Sequence, residues 1–214
     1  MITNPNNEPA DDAPPPAQED DTTTVSGPQA DDGPPPAQED DKDWTWVLDR
    51  PCPDCGADVG DLTVAEVAAL NRSNAAAWAQ VLGAHDVRQR PAPDVWSPLE
   101  YAAHVRDVFR LFLTRLDLML NEDNPLFANW NPNETAESER YDLQDPQIVA
   151  QELSAAADAL AGRFETLTEA QFARPGRRSD GAEFSVLSFA RYEIHDPVHH
   201  LWDVTGERQD TVTS

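Results

Sequence analysis

A chain of 214 residues carrying a formal charge of −25, from 40 acids against 15 Lys and Arg, is sized for one domain with appendages. The acidity runs through both parts: residues 1–43 hold twelve Asp or Glu against Lys42 alone, and residues 44–214 hold 28 against 14 bases. Such a surface excludes nucleic acid and anionic membranes as partners, since both need clustered Lys and Arg to displace counterions, and no apolar run approaches the roughly twenty residues of a bilayer span.

Met1-Ile2-Thr3-Asn4-Pro5 has neither the basic nor the apolar region of a secretory signal, so a cytoplasmic protein is expected. Residues 10–21, ADDAPPPAQEDD, recur almost unchanged at 30–41 as ADDGPPPAQEDD. Two copies without an apolar position to bury do not make a solenoid. Residues 1–43 contain nine of the nineteen prolines and almost no large hydrophobes, so the segment cannot offset its ordering entropy by burial. It is expected to be a disordered, acidic, Pro-rich arm, acting as a solubilising tail or a docking tail.

The character changes at Asp43-Trp44-Thr45-Trp46-Val47-Leu48, whose alternation suggests an extended segment docked on the domain. Arg50-Pro51-Cys52-Pro53-Asp54-Cys55-Gly56 follows, with the only two cysteines. Cys-x-x-Cys before Gly is the shape of a zinc knuckle, but no second cysteine pair exists to complete four ligands. Three readings stand: a reduced structural turn, a local disulfide or redox pair, and half of a metal site completed by a histidine or a second chain.

Four helices come next. Thr63-Val64-Ala65-Glu66 is a capping box opening a helix to about Leu82, with Val64, Val67, Leu70, Trp78, Val81 and Leu82 on its apolar face. Ser97-Pro98-Leu99-Glu100 opens the second, with Ser97 as cap and Pro98 where no N–H is needed. That helix reaches about Leu120 on a stripe of Tyr101, Val105, Val108, Phe109, Phe112, Leu116 and Met119. Residues 121–144 form a crossover whose apolar anchors, Phe127 and Trp130, either pack across one end or wall a pocket. The third helix starts at Asp145-Pro146 and runs to about Leu167, with Ile148, Leu153, Ala156, Leu160 and Phe164 inward. After the polar break 174–181, Ser185 caps a fourth helix with Val186, Phe189, Ile194, Val198 and Leu201.

Three of the five histidines, His195, His199 and His200, fall in this last helix. His195 and His199 stand at i and i+4, one turn apart, close enough for two imidazoles to reach one cation. His104, between apolar flanks on the second helix, is the candidate third ligand, because one cation satisfies three imidazoles that would otherwise be buried unpaired. Pro197 lies between the pair, and it either breaks the helix or shapes the site.

Trp96-Ser97-Pro98-Leu99-Glu100-Tyr101-x-x-His104-Val105-x-Asp107, Phe127-Ala128-Asn129-Trp130 and His195-x-x-x-His199-His200-x-x-Asp203-Val204 together resemble the DinB-like four-helix-bundle metalloproteins, in particular their actinobacterial members. The resemblance covers about residues 44–205, leaving residues 206–214 as a disordered tail, and implies an all-α four-helix bundle with a long crossover between the second and third helices. It implies a divalent metal, zinc foremost with nickel or another as alternatives, on His104, His195 and His199, with His200 outside the pattern. It also implies a metal-dependent thiol S-transferase or thiol-dependent isomerase that uses mycothiol or a similar low-molecular-weight thiol and a small electrophile, in a monomer or homodimer, with pocket candidates Phe127, Trp130 and Tyr192. Asp196 and Asp203 either orient imidazoles or are ordinary surface carboxylates, and the cysteines stay off the histidine metal because they would overfill it. The competing reading is a non-catalytic bundle with a structural metal or none, acting in protein interaction.

Overall fold

The computed structural model describes residues 43–211; the expected disordered arm lies outside that range. Four helices build the bundle: α1 Val64–Val81, α2 Pro98–Asn121, α4 Pro146–Glu165 and α5 Val186–Thr205, with a short α3, Pro132–Ser138, in the crossover. Their starts follow from local chemistry. Thr63 and Ser97 each accept from the backbone N–H three residues on, while Glu66 and Glu100 reach back to the cap. Asp145 caps α4 through the N–H groups of Gln147 and Ile148, and Ser185 caps α5 with Ser188 as the reciprocal partner.

α1 and α2 each pack chiefly on α4 and α5, so helices adjacent in sequence, α1 with α2 and α4 with α5, sit diagonally. A diagonal step must cross the end of the bundle, which accounts for the long connections 82–97 and 166–185. Phe109, Leu116, Met119, Leu153, Leu160, Phe164, Phe189 and Ile194 are fully buried between the helices. The α4 stripe differs from expectation at its start: Ile148 is 51% exposed and Val149 takes the inward position. Pro197 does not break α5, which runs unbroken through it, and Asn74 Nδ2 on α1 donates to the Pro197 carbonyl at 2.9 Å. Tertiary packing carries the helix past the missing N–H.

Four segments depart from the sequence reading. Residues 44–48 form a 3-10 turn, not an extended strand, because Asp43 caps it by accepting from Thr45 N–H at 3.0 Å. The crossover contains α3, capped by Asn131 with Pro132 in the first turn, and it is tied down where Tyr141 Oη donates to Asp107 Oδ2 at 2.6 Å. A small sheet of β1 Leu126–Phe127, β2 Pro175–Arg178 and β3 Glu183–Ser185, in that order, binds the crossover to the α4–α5 connection, β1–β2 parallel and β2–β3 antiparallel. Finally, residues 206–211 are not a loose tail: Arg208 Nη2 donates to the Pro53 and Asp54 carbonyls, Asp58 N–H donates to Thr211 Oγ1, and Thr211 is 5% exposed. No helix among the described residues is long and apolar enough to cross a membrane.

Candidate functional site

The helical phase of α5 decides which residues meet. Its four central ligand types form two i, i+4 pairs, His195 with His199 and Asp196 with His200, offset by one residue and hence by about 100° around the axis. The two pairs therefore address different neighbours. Asp196 and His200 gather with His104 of α2, and His195 and His199 gather with Cys52 and Cys55; within each group the ligand atoms lie within 4.8 Å of one another.

In the first group His104 Nε2 is 3.3 Å from Asp196 Oδ1, and His200 Nε2 is 3.7 Å from the same oxygen. Nitrogen and oxygen ligands about 2.0–2.1 Å from one tetrahedral ion lie about 3.3 Å apart, so this spacing fits a shared cation. The polar inventory points the same way: both ring nitrogens of His104 and Asp196 Oδ1 are buried without a hydrogen-bond partner. His200 Nδ1 pairs with Asp203 Oδ2 at 2.9 Å, the outer carboxylate that would fix the ring with Nε2 toward the site. Trp130 stacks on His104 at 5.3 Å and an interplanar angle of 7°, and Trp96 lies 5.2 Å away on the same ring.

Electrostatics favour the ligand form of His104 and Asp196. Burial pushes the His104 pKa down, so the ring stays neutral at ordinary pH. Burial alone would raise Asp196, but His200 and His104 beside it outweigh that and keep the carboxyl ionised. Bound through neutral imidazoles, His104 and His200 with the Asp196 carboxylate would leave a divalent ion with net positive charge and room for a further ligand.

In the second group Cys52 Sγ lies 3.6 Å from His199 Nδ1, and Cys55 Sγ lies 3.8 Å from His195 Nε2. Both cysteines are free and buried. Burial lowers the His195 pKa to about 4 and pushes the Cys55 thiol up to about 12, the latter opposed by the Ala57 backbone N–H. Trp44 covers the pair, its ring centroid 5.1 Å from both His195 and His199.

The expected His104, His195 and His199 set is thus divided between two clusters. Among the described residues, His104 makes ring contacts with Trp96, Trp130 and His200, and none with His195 or His199. His200 and Asp196, rather than His195 and His199, gather with His104, and the cysteines approach the histidine pair. Asp196-x-x-x-His200 carries the same i, i+4 signal in the sequence. Spacing alone cannot say which face of α5 turns toward α2. Of the pocket candidates, Trp130 covers His104, and Tyr192 lines a narrow cavity of about 50 Å³ with His195, Asp196, His199 and His200. Phe127 is a core residue, 1% exposed and packed 5.5 Å from Phe189, because the inward position of β1 buries it. A larger cavity of about 580 Å³ is lined by Trp96, Tyr101, Asp203 and the 84–98 connection. It borders the first cluster, since Tyr101 lies 5.0 Å from the His200 ring and Asp203 pairs with that histidine.

The class defined by this fold and site is a four-helix bundle with a histidine–carboxylate cluster, suited to a cation, between its second and last helices. The chain belongs to the DinB superfamily, which it matches over residues 68–204. Among solved structures it is similar to YfiT from Bacillus subtilis, described as a probable metal-dependent hydrolase with an unusual four-helix bundle topology; identity is 18%, the TM-score 0.60, and the match covers 65% of this chain and 82% of that one. At that identity the likeness shows the shared fold. No curated protein matches the chain.

Proposed function

We infer that the protein binds a divalent cation through His104, Asp196 and His200 and uses it to transfer a low-molecular-weight thiol, of the mycothiol kind, to a small electrophile. The observation that supports the reading most is the set of buried, unpartnered ligand atoms at cation spacing, His104 Nε2 and Asp196 Oδ1 at 3.3 Å, beside a cavity of about 580 Å³. A cation held there supplies positive charge that keeps a thiol or a water in its anionic form near neutral pH. The sulfur would form a bond to the electrophilic carbon as the bond from that carbon to its leaving group breaks, the leaving group departing to solvent with the electron pair and the thiol proton passing to solvent.

The chain's own residues bind, orient and exclude water. Asp203 holds His200 by its Nδ1 side, and Trp130 and Trp96 shield His104. Tyr101, pushed up to about 12 by burial and then by Asp203, stays protonated near neutral pH and does not serve as a base. YfiT's description as a probable metal-dependent hydrolase makes hydrolysis by a bound water the comparison activity.

Metal analysis of wild type against His104→Ala and Asp196→Asn tests the site, with conjugation of mycothiol to a chloronitrobenzene as the activity arm. Each variant is expected to lose one equivalent of cation and the conjugation together. Unchanged metal content in both variants sinks the assignment; metal lost without any thiol conjugation in wild type, but with ester cleavage, replaces transfer by hydrolysis.

A further inference from the structure

We propose that Cys52, Cys55, His195 and His199 form a second metal site, a closed four-coordinate zinc centre that fastens the segment before α1 to α5. With Zn–S at about 2.3 Å and Zn–N at about 2.0–2.1 Å, a tetrahedral site has sulfur–nitrogen edges of about 3.6 Å. The two edges here are 3.6 Å and 3.8 Å. Each cysteine faces a different imidazole, so the four donors alternate without needing a further residue.

The turn holding the sulfurs is built for it. Gly56 sits at φ +78°, its N–H donates to the Cys52 carbonyl at 2.9 Å, and Cys52 N–H donates to the Ala57 carbonyl at 2.8 Å. That left-handed position suits glycine, and a Cβ there would come within 2.9 Å of Arg208 Cδ. Cys52 and Cys55 are 1% and 0% exposed, which denies a redox pair the access that thiol exchange needs.

Charge separates the roles of the two sites. Two thiolates cancel a divalent ion, so the buried cluster is neutral and no coordination position stays open; the site is structural. The His104 cluster keeps net charge and an open position. Half of the new site's ligands lie before residue 68, where the family match begins, so the centre is an addition to the family pattern. Residues 44–63 carry no α-helix or strand, only the 3-10 turn Trp44–Leu48, and binding energy at such a site becomes folding energy for the segment and for residues 206–211 docked on it.

The full chain, loaded with zinc and then with cobalt, tests this independently of the thiol-transfer reading. Wild type is expected to hold two ions per chain. Its cobalt form is expected to show a thiolate-to-metal charge-transfer band and the strong visible absorption of tetrahedral cobalt. His104→Ala keeps both features with one ion. Cys52→Ser and Cys55→Ser each lose an ion, weaken the band and melt at lower temperature. If the cysteine variants do not fold, wild type and His104→Ala still decide: an aromatic disulfide reagent is expected to label both thiols at least tenfold faster after chelation. A cobalt form without a thiolate band, or equal labelling with and without zinc, overturns the site.

Discussion

Tyr141→Phe removes one hydroxyl from the clamp that holds the crossover on α2. Tyr141 is fully buried, and its Oη donates to Asp107 Oδ2 at 2.6 Å. The same carboxylate accepts from Arg106 Nε and Nη2 at 2.9 Å and from Arg110 at 3.2 Å. A hydrogen bond to a charged group contributes about 1.5–3 kcal/mol. The Asp107 side chain keeps 16% exposure, so water replaces part of the loss and the lower half of that range, about 1.5–2 kcal/mol, applies. With an unfolding entropy of about 0.35 kcal/mol per kelvin for a body of this size, the melting temperature is expected to fall by about 4–6 °C. Burial would raise the Asp107 pKa, but hydrogen bonds from Arg106 and Tyr141 outweigh it and leave it lowered. A depressed carboxylate contributes stability above its unfolded value of about 3.9 and loses it as pH falls through the lower folded value. The gap between wild type and variant, read from urea denaturation by circular dichroism, should therefore be constant from pH 7 to about 5 and close below about 4. A gap under about 0.5 kcal/mol at pH 7, or one that widens on acidification, refutes the clamp.

Gly176→Ala places a Cβ 2.6 Å from Phe127 Cζ and 2.8 Å from Met119 Cγ, inside the core where the sheet meets α2. Overpacking of that kind costs about 1–3 kcal/mol, measurable as a lower urea midpoint with an unchanged slope. Ser97→Ala removes the α2 cap that accepts from Glu100 N–H at 3.3 Å and is expected to cost about 1 kcal/mol in the same measurement, with metal content retained.

The four long helices were readable because their signals are local. Thr63 with Glu66, Ser97 with Glu100, and Asp145 before Pro146 satisfy or remove backbone N–H groups within one turn, so no distant residue is needed to place them. The family was readable for a related reason, since its residues keep their order along the chain. The Asn131-Pro132 start of α3 was equally local, but seven residues without an apolar stripe look like loop. The sheet escaped because strands of two to four residues carry no alternation to recognise, and the β1–β2 pairing joins segments about fifty residues apart.

Ligand grouping belonged to the tertiary structure. In the sequence, His195 with His199 and Asp196 with His200 are equivalent i, i+4 pairs, and Cys52 and Cys55 lack a second cysteine pair. A rotation of about 100° per residue sends the first pair to the Cys knuckle and the second to His104. That rotation is fixed by which face of α5 buries Phe189, Ile194 and Val198 against the other helices, a packing choice made by the whole bundle.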